Sequence, residues 1–408
     1  MLVMRIIVAL VAVAASIQVS WAQSSVQTCG LGTLQLESGQ SIPNFRMTYI
    51  TLGTLNGARS NAVLQIHGLR GTRDSQTTWA GPRKAFDTDK YFVVQPDTLG
   101  VASLDPNATT SPTRSGLNMR FPRFRIRDMV HAEYRMLTEC LGLSHLVAVS
   151  GSSMGGVESM QWAVSYPDFM DAVIPMVPQA FTAKQSVFIW ETARRVIMLD
   201  PKWMGGEYPA NDPPRAGVGA GLVVQTAFGS SSVAFERTFQ TRDAVLASYQ
   251  SQSASPAVSV DARDWIYRTY AIDSHNIAET SGFGGDLAAA ARAIKARLLL
   301  FPNCYDQLHP PRASGVFEVA EHAPIAKVVN LNDIGGHGGT ARQAALITTE
   351  IKNLLGRLEA GMPGIDGPRF PKGASRQDSC SPGGFVQGNE TEAKQSVTTC
   401  SPLHPRPG

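Results

Sequence analysis

The chain has 408 residues, of which 43% are hydrophobic and 17% are charged, and its formal net charge at pH 7 is +3. These fractions are ordinary for a globular protein, and the length allows one large α/β domain with an insertion or two ordinary domains. Because the charge is close to neutral and basic residues do not interleave with aromatic ones, the sequence argues against a nucleic-acid partner.

Residues 1–22 are predicted to be a secretory signal peptide. Arg5 provides a positive start, residues 6–19 form a short apolar stretch, and residues 20–22 place small side chains at a cleavage site. The stretch is too short and ends too abruptly for a membrane span, although an uncleaved anchor is the alternative. We therefore expect a secreted or periplasmic protein with no stable membrane span after cleavage.

The cysteine pattern suggests disulfides rather than a metal site. Five cysteines follow the predicted signal peptide, at positions 29, 140, 304, 380 and 400. Cys380 and Cys400 could close a loop in the tail, with Cys29 as another partner, and an odd number leaves one thiol unpaired in a monomer. The sequence has no Cys-x-x-Cys or His-x-x-x-His pair, so we expect no metal and no cofactor.

Short apolar strands alternate with helices over residues 23–178. After a polar leading segment at 23–41, strands are predicted at 45–52, 62–66, 91–94, 145–149 and 172–177, and helices at 126–141 and 157–166. An irregular stretch at 98–125 interrupts them, and loops of that length are usually functional or mobile. This alternation predicts a mostly parallel, doubly wound sheet with helices on both faces.

The strand rhythm stops between residues 179 and 290. Helical segments at 188–199, 235–251 and 261–271, separated by turns rich in Pro and Gly, predict a helical cap inserted into the sheet domain. The core resumes at 291–360, with strands at 298–301 and 327–331 and a closing helix at 340–358. Residues 361–408 are rich in Gly, Pro and Ser and are predicted to be a disordered tail.

Ser153 is the predicted nucleophile. It lies in a Gly-x-Ser-x-Gly motif between a predicted strand and a predicted helix, which is the context of a nucleophile elbow. Gly151 and Gly155 flank it because a Cβ at either position would clash in so tight a turn. The plain alternative is an ordinary loop between a strand and a helix.

A serine hydroxyl needs a base, and the base needs a group that orients it. In a doubly wound hydrolase sheet these partners follow later strands in the order Ser, acid, His. Asp306 follows the strand at 298–301, and His337 lies in a glycine-rich loop after the strand at 327–331. Asp333 is a reserve acid in the same loop as His337, and the other histidines are weaker candidates for the base.

Two backbone amides are predicted to stabilise the oxyanion. One is the amide of Met154, directly after the nucleophile, and the other is the amide of Leu69, in the loop that follows the strand at 62–66. Arg70, next to Leu69, is either a substrate contact or a solvated loop charge.

Five segments carry a resemblance to a known family. They are Asn-Ala-Val-Leu-Gln-Ile-His-Gly-Leu at 61–69, Arg-Asp-Met-Val at 127–130, Ser-Met-Gly-Gly at 153–156, Asp-Pro-Lys-Trp-Met-Gly-Gly-Glu-Tyr at 200–208 and Pro-Arg-Ala-Gly at 214–217. From about residue 45 to 358 the chain resembles the homoserine O-acetyltransferases. The resemblance implies an α/β-hydrolase fold, Ser153, Asp306 and His337 as the triad, and acyl-enzyme chemistry below the cap. It also implies a cap arginine near Arg194 that holds a substrate carboxylate.

The chain departs from that family at three places. The loop at 100–106 lacks the family's Gly-Ser-Thr-Gly-Pro-like sequence, Gly338 replaces an aspartate after the catalytic histidine, and Asn276 replaces a second aspartate. Because the lost acidic groups suit an amino-acid substrate, and because the chain is predicted to be exported, we expect an exported serine ester hydrolase acting through an acyl-serine intermediate. An O-acyltransferase is the alternative, and a non-catalytic binding protein is the remote one.

The expected partner is a small-molecule acyl ester, with acyl-CoA as the donor if the chain is an acyltransferase. The chain is expected to be a monomer or a homodimer.

Overall fold

The computed structural model describes residues 25–254 and 260–370, and an eight-stranded sheet lies at its centre. The strands are β1 (Gln27–Gln35), β2 (Ser41–Leu52), β3 (Ala62–Ile66), β4 (Phe92–Pro96), β5 (Leu146–Ser152), β6 (Met170–Met176), β7 (Arg297–Leu300) and β8 (Ala326–Val328). Their order in the sheet is β1-β2-β4-β3-β5-β6-β7-β8. β3 to β8 are parallel, and β2 is antiparallel to both of its neighbours. The predicted mostly parallel sheet is confirmed.

Helices cover the sheet, and several of them form the long insertion between β6 and β7 in the chain. They are α1 (Ile126–Arg135), α2 (Met154–Ser165), α3 (Lys184–Met198), α4 (Arg215–Gly229), α5 (Ser232–Thr238), α6 (Arg242–Ser253), α7 (Ala262–Asp273), α8 (Leu287–Arg292), α9 (Val316–His322), α10 (Gly339–Arg342) and α11 (Ala344–Glu359). No single helix of the described ranges has the length and apolar composition to cross a bilayer. α4 and α5 together do, but they are bent by 103°.

Neighbouring residues of each parallel strand belong to two hydrophobic cores, one on each face of the sheet. Leu64 packs in the core that contains α1 and α2, whereas Val63 packs in the core that contains α11. A strand that is buried on both faces appears in the sequence as a continuous apolar run, which is why β3 to β6 are recognisable from short apolar segments.

Two parts of the sequence fold differently from their prediction. The polar leading segment contains β1, an edge strand in which Cys29, Leu31 and Leu34 are buried between exposed neighbours. An antiparallel edge strand can face water on one side, so polar and apolar residues alternate along it. The polar positions of β1 made the segment look like a loop in the sequence. The helix predicted at 235–251 is two helices, α5 and α6, separated by a turn.

The helix α4 was not predicted, because its first half is rich in glycine, a poor helix former. These glycines permit close packing of helices in the insertion between β6 and β7. A Cβ at Gly217 would lie 2.7 Å from the carbonyl oxygen of Ile197 in α3, and one at Gly219 would lie 2.1 Å from that of Ser253 in α6. Tertiary packing therefore outweighs the low propensity of this segment.

A disulfide joins Cys29 in β1 to Cys140 at the end of the π-helical turn that follows α1, with the two Cα atoms 6.0 Å apart. This bond excludes the alternative, left open by the sequence, in which Cys29 pairs with a tail cysteine. Cys304 is also disulfide-bonded. Cys380 and Cys400 lie outside the described residues.

Replacing Cys29 and Cys140 together by alanine is expected to lower the free energy of unfolding by about 2–4 kcal/mol. The bond closes a loop between residues 111 positions apart, so its loss frees a large part of the unfolded chain. Denaturant titration of the double variant measures the effect without reducing the disulfide at Cys304. A change below about 0.5 kcal/mol would contradict this account of the bond.

Candidate active site

Ser153 lies at a sharp turn between β5 and α2. Its backbone has φ 61° and ψ −123°, a region that non-glycine residues rarely occupy. A Cβ at Gly151 would lie 2.4 Å from the carbonyl group of Gly155, and one at Gly155 would lie 2.3 Å from the carbonyl oxygen of Ile66. The predicted need for both glycines is confirmed, and the strained turn is that of a nucleophile elbow.

The structure brings Ser153, His337 and Asp306 into one hydrogen-bonded line. His337 Nε2 lies 2.7 Å from Ser153 Oγ, and His337 Nδ1 lies 2.6 Å from Asp306 Oδ2. The other carboxylate oxygen of Asp306 accepts hydrogen bonds of 2.9 Å from the amides of Leu308 and His309. The carboxylate is thus fixed on both sides, and the imidazole is placed to accept a proton from the serine hydroxyl.

The surroundings of this line favour an ionised carboxylate at Asp306. Burial by itself would raise the pKa of Asp306, but its interaction with the His337 imidazole and the hydrogen bond from the amide of His309 hold it below its usual value. The ring of His309 packs edge-on to that of His337 at 4.7 Å, and its Nδ1 donates to the carbonyl of Val177 at 2.7 Å. Burial lowers the pKa of His309 to about 4, so this neighbour adds no positive charge at neutral pH.

The loop after β3 passes directly over the serine. A Cβ at Gly68 would lie 3.5 Å from Ser153 Cβ and 3.9 Å from Ser153 Oγ. Leu69 follows in the same loop and is buried, and Met154 begins α2 on the other side of the serine. The two predicted oxyanion donors therefore belong to the loop whose Gly68 approaches Ser153 and to the first residue of α2.

Comparison with known proteins gives relatives that share this fold. Residues 61–301 match the family model of the alpha/beta hydrolase fold. The homoserine O-acetyltransferase of Methanosalsum zhilinae is 32% identical over 80% of this chain and 71% of its own length. The chain belongs to the homoserine O-acetyltransferase family of α/β-hydrolases.

Two solved structures extend the comparison. The homoserine O-acetyltransferase from Bacillus anthracis is 26% identical, with a TM-score of 0.74 over 82% of this chain and 98% of that one. An acetylester hydrolase from Corynebacterium glutamicum is also 26% identical, with a TM-score of 0.72 over 81% of this chain and 96% of that one. This α/β-hydrolase is therefore an enzyme that transfers or hydrolyses acyl groups, and it acts on small-molecule substrates.

The relatives contradict the predicted secreted or periplasmic location. The homoserine O-acetyltransferases that the chain resembles are cytosolic biosynthetic enzymes. Residues 1–22, which carried the export prediction, lie outside the described residues. A short apolar stretch after one basic residue records composition only, and that is a weak signal for export.

Arg194 lies buried in α3 and is held by two carboxylates. Its Nη2 donates to Asp273 Oδ2 at 2.5 Å and to Glu191 Oε2 at 2.8 Å, and its guanidinium lies 4.3 Å from the centre of the Tyr270 ring. Within the described part of the chain, Nη1 of Arg194 and Oδ1 of Asp273 are buried and have no hydrogen-bond partner. The pair therefore keeps one free donor and one free acceptor in this α/β-hydrolase.

Arg70 follows the loop over the serine and is exposed at its surface. Partial burial of its guanidinium lowers its pKa. Among residues 25–254 and 260–370 it has no salt bridge or hydrogen bond. Its predicted contact with the substrate stays a prediction.

Asp333, the reserve acid, binds Arg342 and Gly335, whereas Asp306 binds His337 Nδ1. Its Oδ1 accepts hydrogen bonds from Arg342 Nε at 2.7 Å and from the amide of Gly335 at 2.9 Å. Asn303 holds the same loop through the carbonyls of Asp333 and Gly336. These contacts give Asp333 a structural place in the loop that presents His337.

One residue near the site was missed from the sequence. Arg268 in α7 is fully buried, and its Nη1 donates to the carbonyl oxygen of Leu69 at 2.6 Å. The available signal was an arginine within a helix whose other positions are mostly apolar or aromatic. Nothing local in the sequence connects it to a loop 199 positions earlier.

Proposed function

We propose that the chain is an O-acyltransferase that moves an acyl group from a small-molecule donor to the hydroxyl of an amino-acid acceptor, as a homoserine O-acetyltransferase does. The observation that carries the proposal is the hydrogen-bonded line from Asp306 through His337 to Ser153, in a chain whose curated relatives are homoserine O-acetyltransferases. Such a line activates a serine for nucleophilic attack.

The first half-reaction acylates the serine. His337 Nε2 takes the proton of Ser153 Oγ while the oxygen attacks the acyl carbonyl carbon of the donor, and Asp306 stabilises the imidazolium that forms. The amides of Leu69 and Met154 donate to the oxyanion of the tetrahedral intermediate. His337 then gives its proton to the leaving group, which is the thiol if the donor is acyl-CoA.

The second half-reaction uses the same groups in reverse. The acceptor hydroxyl gives its proton to His337 and attacks the acyl-serine carbonyl, and collapse of the intermediate returns the proton to Ser153 Oγ. Water in place of the acceptor gives hydrolysis. The two outcomes therefore differ only in which hydroxyl reaches the acyl-enzyme.

The buried pair of Arg194 and Asp273 supports an amino-acid acceptor. An α-carboxylate needs a hydrogen-bond donor with positive charge, and an α-ammonium group needs an acceptor with negative charge. Arg194 Nη1 and Asp273 Oδ1 are free atoms of these two kinds in one buried pair. Asp273 offers a carboxylate of the kind that this chain lacks at positions 338 and 276, and that lack had favoured hydrolysis in the sequence-based prediction.

Ester hydrolysis is the second candidate. The observation that favours it is the fold shared with the acetylester hydrolase from Corynebacterium glutamicum. The homoserine O-acetyltransferase from Bacillus anthracis has the same identity of 26%, with a TM-score of 0.74 against 0.72. Transfer is the better supported of the two because the sequence relatives, such as the one from Methanosalsum zhilinae at 32%, are homoserine O-acetyltransferases.

The direct test is to incubate the purified chain with acetyl-CoA and L-homoserine and to quantify O-acetylhomoserine and free acetate together. We expect transfer to exceed hydrolysis at millimolar acceptor, and both products to vanish in Ser153→Ala. Acetate as the sole product, from acetyl-CoA and from p-nitrophenyl acetate alike, would establish the esterase instead.

Replacing Arg194 by lysine is expected to raise the KM for the acceptor by about tenfold or more, because lysine lacks the planar fork that binds a carboxylate. The lysine still places a positive charge beside Glu191 and Asp273. Hydrolysis of p-nitrophenyl acetate in the absence of acceptor should change little. Arg195→Lys is the matched control, since Arg195 is the next residue of α3, is exposed and also pairs with Glu191. Equal effects of the two variants on the acceptor KM would contradict this role for Arg194.

A further inference from the structure

The guanidinium of Arg268 reaches from α7 into the loop that passes over the nucleophile. Its Nη1 lies 2.6 Å from the carbonyl oxygen of Leu69, and its Nη2 lies 3.4 Å from that of Gly68 and 3.2 Å from Thr98 Oγ1. The side chain has no exposed surface. One buried cation thus contacts two successive peptide groups of the loop.

His67 contacts the same loop. Its Nδ1 lies 2.8 Å from the carbonyl oxygen of Gly68, and its Nε2 accepts a hydrogen bond of 3.3 Å from the amide of Thr98. Because Nε2 accepts, the ring proton is on Nδ1 and is donated to Gly68. Burial, with a smaller effect of Arg268, lowers the pKa of His67 to about 4, so the ring is neutral and keeps this tautomer at neutral pH.

The direction of the Gly68 carbonyl determines the direction of the Leu69 N–H. In a trans peptide the carbonyl of Gly68 and the N–H of Leu69 point to opposite sides of the chain. The Gly68 carbonyl is held by His67 and Arg268, and the Leu69 carbonyl by Arg268. The Leu69 N–H is therefore directed away from α7, in a loop whose Gly68 approaches Ser153.

We propose that Arg268 is a positioning residue that fixes the Leu69 amide as an oxyanion donor before the substrate arrives. The inference rests on the proposed function, since it requires that an oxyanion forms next to Ser153. Donors that are already oriented cost no reorganisation during the reaction, and a displacement of about 1 Å can cost about 100-fold in rate.

The surroundings of Arg268 explain why a buried charge is retained there. Glu158 in α2 and Glu133 in α1 are both fully buried, and Trp162 Nε1 donates to Glu133 Oε2 at 2.7 Å. Burial raises the pKa of Glu133 to about 7 and that of Glu158 well above its usual value, while the charge of Arg268 opposes both shifts. The guanidinium thus favours the ionised forms of the two carboxyl groups, and their charges in turn favour the protonated form of Arg268.

The test compares Arg268→Lys with Arg263→Lys in the full chain. Lysine keeps the positive charge beside Glu158 and Glu133 but cannot bind both carbonyls as a planar fork does. Arg263 is the matched control, because it is a buried arginine of the same helix whose contacts are Asp261, Asn118 and the carbonyl of Gly206. The two substrates are p-nitrophenyl acetate and its thiono analogue, whose C=S group accepts hydrogen bonds poorly.

Arg268→Lys is expected to lower kcat for the oxygen ester about 10- to 100-fold with little change in KM, and to lower kcat for the thiono ester much less. Arg263→Lys should leave the ratio of the two rates unchanged. The proposal is overturned if a folded Arg268→Lys variant keeps kcat within about threefold of the unmodified enzyme. It is also overturned if kcat falls by the same factor for the oxygen ester and the thiono ester.

Thr98→Val keeps the test decisive if Arg268→Lys does not fold. It removes the hydroxyl that Arg268 Nη2 contacts and leaves the charge of Arg268 in place. We therefore expect a smaller fall in kcat that is again selective for the oxygen ester, and the absence of that fall overturns the proposal. Activity that survives in Ser153→Ala would refute the proposed function itself. Full loss in Ser153→Ala with no selective loss in the Arg268 and Thr98 variants would refute only the role of Arg268.

Discussion

Replacing Asp306 by asparagine is expected to lower kcat by about 10⁴-fold without unfolding the protein. The carboxylate accepts the Nδ1 proton of His337, which leaves Nε2 free to accept the serine proton. An asparagine amide can donate to Nδ1 instead, which stabilises the tautomer that cannot act as a base. Turnover of p-nitrophenyl acetate measures the loss, and circular dichroism checks the fold.

Asp333→Asn is the control for this prediction. Asp333 is the other acid near His337, but it binds Arg342 and the amide of Gly335. Its replacement should cost less than about tenfold in kcat. Comparable losses in the two variants would make Asp333 a functional partner of His337 and would remove the case for Asp306 as the orienting acid.

Replacing Ser153 by alanine is expected to lower kcat by about 10⁶-fold, since without the hydroxyl no acyl-enzyme can form. Replacing it by glycine should be as damaging to turnover but should give a more stable protein than alanine. The backbone at φ 61° costs about 1–3 kcal/mol for a residue with a Cβ, and glycine relieves that strain.

Thermal melts of the two inactive variants measure the strain at the elbow directly. Ser153→Gly should melt several degrees above Ser153→Ala. Equal melting temperatures would show that the turn holds no strain, although the prediction for turnover would stand independently.

The sequence revealed the candidate triad because its signals are local. Ser153 has two flanking glycines that nothing larger could replace, and these lie between an apolar strand and a helix. Asp306 and His337 follow short apolar strands in the order that the fold requires. Parallel strands end at the same edge of a sheet, so side chains that follow them meet there.

Features that depend on distant contacts were out of reach of the sequence. Cys29 pairs with a cysteine 111 positions later, and Arg268 binds a loop 199 positions earlier. Five cysteines allow many pairings, and an arginine within a helix gives no indication of which carbonyl it will reach. Burial raises the pKa of Glu158, with a further effect of the neighbouring Glu133, and both are properties of the folded chain.

The preference for hydrolysis had a different origin. It relied on the absence of acidic residues at Gly338 and Asn276 and on an apparent export signal, both of which concern single positions or composition. The contact between Arg194 and Asp273 joins two helices and leaves a free donor and a free acceptor. Only the folded chain shows that these two side chains pair and that each keeps an atom without a hydrogen-bond partner among the described residues.

The most direct test of acyl transfer through Ser153 is rapid-quench mass spectrometry of the enzyme mixed with acetyl-CoA, with and without L-homoserine, on both the intact protein and its proteolytic peptides. We expect one acetyl group on the peptide that contains Ser153, formed within the first turnover, and we expect homoserine to remove it much faster than water does. An enzyme that turns over acetyl-CoA and homoserine without ever carrying acetyl on Ser153, or an acetyl-enzyme whose decay homoserine does not accelerate, would contradict the account.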